Sequence, residues 1–299
     1  MVPSGSTGTG TDRDQLAIKQ VVGTGRHCYL LETRDEAQGP GGDKAILTLK
    51  SLVTATPLHG TSIMSELFKA ATSEDRNASA PPPSTARQVR VHRSQDKIHR
   101  LMPSNGIIDF DVDSDSFINA RNKKLSAKPR TVNSVIRAAR KVAKTFKRKK
   151  VGITFAYAPD SDRKVFRICY DPELPDDVLA EAFFPSDPRE LWQLRISRFA
   201  LKKSFFEKDP RRLEKILAHE FMHILGFRHW DAGSNEDEKS EKIPGTKDNN
   251  PVTIMYTSLD GISWFSEEDL LALHWFYFQH NETPVGGAKI TDLDPHDGR

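Results

Sequence analysis

The stretch Ala218 to Trp230, AHEFMHILGFRHW, brings three imidazoles and a carboxylate together in one short run. His219 and His223 lie four residues apart, so on a helix they project from one face and can both reach a single ion. Gly226 lets the chain leave the helix and double back, which delivers His229 as a third ligand. Zinc in a hydrolytic site takes three protein ligands and keeps a position open for water. Glu220 stands beside the first ligand, where a carboxylate serves as a base toward that water and not as a ligand. Asp231 is a second candidate for the third ligand; His229 has the matching offset from Gly226.

A bare His-Glu-x-x-His is weak, because a helix carrying two histidines is often an ordinary core or surface helix. Adding the glycine and the third histidine fixes five residues. Multiplied residue frequencies then make a chance match roughly one in ten thousand or rarer. A purely structural zinc would need a fourth Cys or His, and the chain has only Cys28 and Cys169, neither near the motif in sequence. Two cysteines allow one bridge at most and no disulfide framework.

The elements that must position these groups are also legible. Asp209 is a good N-cap and Pro210 suits the first helical position, so a helix is expected from Pro210 to about Leu225. IIDFDVD (107 to 113) alternates apolar and acidic residues as a half-buried strand does. Val132, Val135, Ile136, Ala139, Val142, Ala143 and Phe146 fall at helical spacing, so TVNSVIRAARKVAKTFKR reads as an amphipathic helix whose basic residues face solvent. VGITFAY, VFRICYD and VLAEAFF (178 to 184) read as strands, giving an α+β or α/β layered fold. Ser266 with Glu267 and Glu268 opens a C-terminal helix in which His274 reads as a packed side chain.

With 44 Lys and Arg against 41 Asp and Glu, the net charge of +3 gives no reason to expect a nucleic-acid partner. No stretch reaches membrane-spanning length, and MVPSGSTGTG lacks the basic start and apolar run of an export signal. Residues 1–90 read as an N-terminal region, with short strands in QLAIKQVV, HCYLLET and KAILTLKSLV forming at best a small module, followed by the polar linker SEDRNASAPPPSTAR. Residues 91–285 form the main block, and 286–299 a loose tail.

Downstream of the motif, NNPVTIMYTSLDG carries Met255. The elongated histidine motif followed by this methionine resembles the metzincin zinc peptidases, and LAEAFFP (179 to 185) and SEEDLLALHWFY resemble the rim strand and C-terminal helix of matrixins. The likeness is greatest to matrixin-like peptidases, including predicted fungal ones. It implies a metzincin-like catalytic domain with one catalytic Zn2+ held by His219, His223 and His229, Glu220 as general base, and Met255 in a turn beneath the metal. It also implies that an extended peptide lies along Leu179, Ala180, Glu181 and Ala182. The family is usually secreted.

Several departures limit what is carried over. Glu181 stands where LAHAFFP-type sequences have a histidine for a second zinc, and DPELPDD lacks their glycine-rich calcium loop. Cys28 in RHCYL does not match the family's latency switch, and SNEDEKSEKIPGTKDNN (234 to 250) is a long insertion. Astacin relatives place a tyrosine where this chain has Thr257, so Tyr256 is not read as a ligand. The expected protein is a monomeric zinc metalloendopeptidase acting on peptides or proteins. A competing reading is an inactive metzincin-like module that binds peptides in the same cleft; the presence of Glu220 argues against it.

Overall fold

Strand β4 (Ile107–Val112) buries Ile108, Phe110 and Val112 and turns Asp109 and Asp111 to its half-buried opposite face, as the period-two pattern of IIDFDVD requires. It lies within the main sheet of the protein. A computed structural model describes residues 27–29, 89–118, 129–202, 209–230, 232, 239–246, 253–256 and 264–297. Six strands form one mixed sheet: β1 (His27–Tyr29), β7 (Val178–Glu181), β8 (Gln193–Ile196), β6 (Phe166–Tyr170), β4 and β5 (Thr154–Tyr157), in that spatial order. Neighbours from β8 through β5 run parallel, whereas β7 is antiparallel to β8 and β1 antiparallel to β7.

The other described helices are α1 (Ser114–Ile118), α2 (Pro129–Lys149), α3 (Arg212–Ile224) and α4 (Glu267–Phe278). The class is therefore mixed α+β. Helix α2 buries Val132, Val135, Ala139, Val142, Ala143 and Phe146 and exposes Arg137, Arg140 and Lys144. Its basic run is a solvated helix face, as the sequence suggested. Helix α3 is anchored to the sheet by one side chain above all. The Phe221 ring meets Phe110, Phe155 and Phe166 at centroid distances of 5.4, 4.5 and 5.7 Å. Lys141 Nζ donates to Glu214 at 2.6 Å and ties α2 to α3.

Two small sheets brace this layer. One is β10 (Ser240–Lys242), β2 (Arg90–His92) and β9 (Phe227–Arg228); the other is β11 (Pro284–Val285), β12 (Ala288–Leu293) and β3 (Lys97–Leu101). The second corrects the expectation of a loose tail from residue 286. Strand β12 pairs in parallel with β3 from Lys289 opposite Lys97 to Leu293 opposite Leu101, and Ile290 is fully buried. Arg100, buried on β3, binds Asp292 at 2.5 Å and donates to the carbonyls of Phe276 and Gln279 at the end of α4. That clamp joins residues too far apart in the chain for local patterning to reveal.

Part of the acidic insertion is likewise structured, since β10 pairs with β2 and Glu241 binds Arg93 at 2.5 Å. The described part of HCYLLET is a strand, but it pairs with β7 and so joins the main sheet instead of a separate module. Val89 and Arg90 also belong to the main block, Val89 being buried in its core. The remaining expectations for residues 1–88, both other strands and the linker included, lie outside the described residues.

Candidate metal centre

Helix α3 begins two residues later than expected. Its N-cap is Arg211, which makes no side-chain cap, and not Asp209 as expected; the Asp209 carboxylate instead accepts from Arg211 N–H at 2.9 Å and binds Lys215 Nζ at 2.7 Å in the turn before the helix. At the other end Gly226 has φ of +96°, and a Cβ there would sit 2.9 Å from the His99 carbonyl oxygen. Glycine is required on both counts. The chain then reverses through β9 to His229.

His219, His223 and His229 are buried, with exposures of 0, 0 and 1%. Their Nε2 atoms converge: 3.1 Å between His219 and His223, 3.1 Å between His219 and His229, and 3.3 Å between His223 and His229. His219 Nδ1–H donates to the Ile254 carbonyl at 2.7 Å and His223 Nδ1–H to the Phe227 carbonyl at 2.8 Å. Those bonds fix the tautomer, leaving the Nε2 lone pairs of both rings facing one another. Two lone pairs cannot hydrogen-bond to each other, so the cluster calls for a cation. A tetrahedral zinc with Zn–N of roughly 2.0–2.1 Å requires nitrogens about 3.3–3.4 Å apart, close to the spacing observed. These three residues fit a metal ion and lie near enough together to hold one.

Burial governs the charge states. It drives the His219 imidazole down to about 3, aided by the charge of His229 and opposed by the bond to Ile254. His223 is driven well below its ordinary range, again mainly by burial. Both rings are thus neutral near pH 7, the form that binds metal. Glu220 goes the other way, its carboxyl raised first by burial and then by the charge of Glu181. Both Glu220 oxygens are buried and accept no hydrogen bond among the described residues. A buried carboxylate left in that condition costs stability and marks a group kept for another use.

A second layer holds the first in place. Met255 is fully buried in the turn Thr253–Tyr256, and its carbonyl accepts from Trp230 N–H at 3.2 Å. Tyr256 stacks on Trp230 with centroids 5.1 Å apart, which occupies that phenol in packing. Asp269, fully buried at the start of α4, was missed by sequence reasoning. Its carboxylate accepts from the Ile254 and Ser266 N–H groups, each at 2.9 Å, and from the Thr253 hydroxyl. Burial raises its pKa, while these bonds pull the other way. Ile254 therefore connects two groups: its N–H is held by Asp269 and its carbonyl orients His219. The signal was present as Ser266-x-x-Asp269, a capping box satisfied in both directions. His274 stacks on Phe278 and belongs to the packing of α4.

Behind His223 stands an aromatic wall. Phe184 meets the ring edge-on at 5.3 Å, while His92 stacks on Phe184 at 4.4 Å and Arg228 lies over it at 5.2 Å. Of the expected rim residues, Leu179, Ala180 and Glu181 lie on β7 and Ala182 just beyond it. Leu179, Ala180 and Ala182 are buried, and Glu181 is held by Arg195, which also binds Asp171 at 2.9 Å. Asp231 and Thr257 lie outside the described residues. No described helix is long and apolar enough to cross a membrane. No protein-family model matches the chain, and no curated protein is significantly similar to it.

Proposed function

We propose that this chain is a zinc-dependent metalloendopeptidase with a metzincin-like, matrixin-like catalytic domain that hydrolyses extended polypeptides. The observation that carries this reading is the convergence of three buried Nε2 atoms, on a helix that also carries Glu220, the next residue after His219, whose buried carboxyl lacks a hydrogen-bond partner among the described residues. His219, His223 and His229 would hold one Zn2+. When bound, zinc supplies Lewis-acid polarisation of a carbonyl and acidifies water.

The chain's own residues do the rest. Glu220 takes a proton from the water that attacks the peptide carbonyl and returns it to the departing amine. Its raised affinity for protons suits a group that must accept and then release one. Asp269, through Ile254, keeps His219 aimed. An extended peptide would add as a strand along Leu179, Ala180, Glu181 and Ala182, on the side of β7 that pairs with β1 in this structure.

Elemental analysis of the purified chain should give one zinc per chain, and the same preparation should digest an unstructured peptide library until a chelator is added. Two zinc ions per chain would contradict the single site. Digestion indifferent to chelator would contradict a metal-dependent reaction.

A further inference from the structure

We propose that the outer face of helix α2 is a docking surface for a sulfated polysaccharide, separate from the metal centre. From Arg137 to Lys150 the chain carries eight Lys and Arg and no acid. All eight are exposed, and among the described residues only Lys141 of them is in an ion pair, with Glu214. The small net charge conceals this segregation: removing these eight from +3 leaves the rest of the chain at −5. Lys147, Arg148 and Lys149 stand in the last turn of the helix, where the macrodipole favours cations. Arg137, Arg140 and Lys144 stand in mid-helix, where it does not. Arg137 with Lys141, Arg140 with Lys144, and Lys144 with Arg148 are like-charged neighbours four residues apart, which destabilises the helix unless an anion lies between them.

The neutral residues of this face select among polyanions. Arg137, Arg140, Lys141 and Lys144 line an open groove of about 500 Å³ together with Asn133 and Ile136. A groove this small admits a single chain and not the body of a nucleic-acid duplex. Single-stranded nucleic acid stacks its bases on aromatic rings, and the one aromatic side chain of α2, Phe146, is buried. A helix that lies in a membrane interface inserts Trp, Phe or Leu, and the large apolar side chains exposed among the described residues, Ile107, Ile118, Leu191 and Phe278, all lie off α2. Besides charge, the groove offers the exposed Asn133 amide, which both donates and accepts, and the half-buried Ile136 side chain. Those suit the hydroxyls and the C–H face of a sugar ring, and inorganic polyphosphate has neither. The cations stand about 5–6 Å apart along a stripe of about 16 Å from Arg137 to Arg148, comparable to the repeat of a chain with one sulfate on each ring.

A fluorescent heparin octasaccharide titrated with the full chain, at about 0.15 M salt and below it, tests the assignment. Three proteins are compared: the parent, a helix variant combining Arg137→Gln, Arg140→Gln and Lys144→Gln, and a control combining Lys97→Gln, Arg163→Gln and Arg167→Gln, which removes the same charge from exposed positions elsewhere. Lys141 is kept because it holds Glu214, and glutamine is a good helix former, so the helix variant keeps its fold. The helix variant should bind at least roughly tenfold more weakly than the parent, with a salt dependence of log Kd shallower by about two, or about 0.7 for each cation removed. The control should stay within about twofold of the parent, since charges beyond a Debye length are screened. The desulfated octasaccharide should not bind. Equal weakening in the control would make the effect one of net charge and overturn the proposal, as would a parent that does not bind at about 0.15 M salt. Tighter binding of inorganic polyphosphate, a DNA duplex or phosphatidylserine vesicles at equal charge would give the face to that anion, which also overturns it. Every readout is binding without hydrolysis, so the result is independent of the peptidase reading.

Discussion

The histidine turn and strand β7 lie in one core, with helix α3 packed near β7, yet they are specified in different ways. From His219 to His229 the geometry follows from one helical turn, a glycine at φ +96° and a short reversal, all within a few residues of sequence. At the rim, Ala180 faces Cys28 from the far end of the chain, and no local pattern marks them as partners. The groups that could do chemistry are encoded locally, whereas the neighbours of β7, along which the proposed substrate would lie, are encoded by long-range strand pairing. Changes in the turn should therefore alter metal binding and stability. Changes in the rim should alter how readily a peptide enters.

The largest effect expected within the turn is on zinc affinity. A four-ligand zinc site with about 10–16 kcal/mol of binding energy, shared evenly, gives roughly 3 kcal/mol per ligand, so His229→Ala should weaken binding on the order of a hundredfold or more. Asp231→Ala should leave it near the parental value. Titration against a competing chelator separates the two, and the opposite ranking would make aspartate the third ligand. Next comes Asp269→Ala, which strands the Ile254 and Ser266 N–H groups and frees the carbonyl that aims His219. It should cost about 3 kcal/mol in denaturant unfolding and roughly tenfold in zinc affinity, and a loss of stability with unaltered affinity would rule out its positioning role.

Acid should act on the same turn. Because the folded-state pKa values of His219 and His223 lie below their unfolded value of 6.5, the native state favours neutral rings. That contribution to stability is present above pH 6.5 and is lost as pH falls below it. Between pH 7.5 and 5.5 the chelator-treated protein should lose about 1.4 kcal/mol per imidazole, close to 3 kcal/mol for the two. Stability flat across that window would mean that the rings protonate in place. Smaller again is Gly226→Ala, which meets both a positive φ and the His99 carbonyl. It should destabilise by about 1–3 kcal/mol, and a neutral outcome by thermal unfolding would show that the turn relaxes without cost.

What could be read from sequence follows the same division. Helix α2, strand β4 and the His219–His223 pair show themselves through periods of 3.6, 2 and 4, because each is decided by contacts within its own element. The tail from 286 reads as loose in sequence because what holds β12, its pairing with β3 and the Arg100–Asp292 pair, lies far away in the chain, and Gly286 belongs to a tight hairpin between β11 and β12. HCYLLET looked like a fragment of a separate module because its partner strand lies beyond the whole linker region. Asp269 was overlooked for a different reason: Glu267 and Glu268 accounted for the helix start by themselves, and only the fold shows that the third acid reaches back to the Met255 turn.

The central claim is that His219, His223 and His229 hold the metal while Glu220 moves the proton, and a single pair of proteins separates these roles. Zinc content and hydrolysis of an unstructured peptide should be measured on the same preparation of the parent chain and of its Glu220→Gln variant. Zinc should stay at one per chain in both, since imidazoles alone bind it, while kcat should fall by about 10²–10⁴ when the carboxylate is replaced. Equal hydrolysis by the two proteins, or loss of zinc on replacing Glu220, would contradict that division of labour.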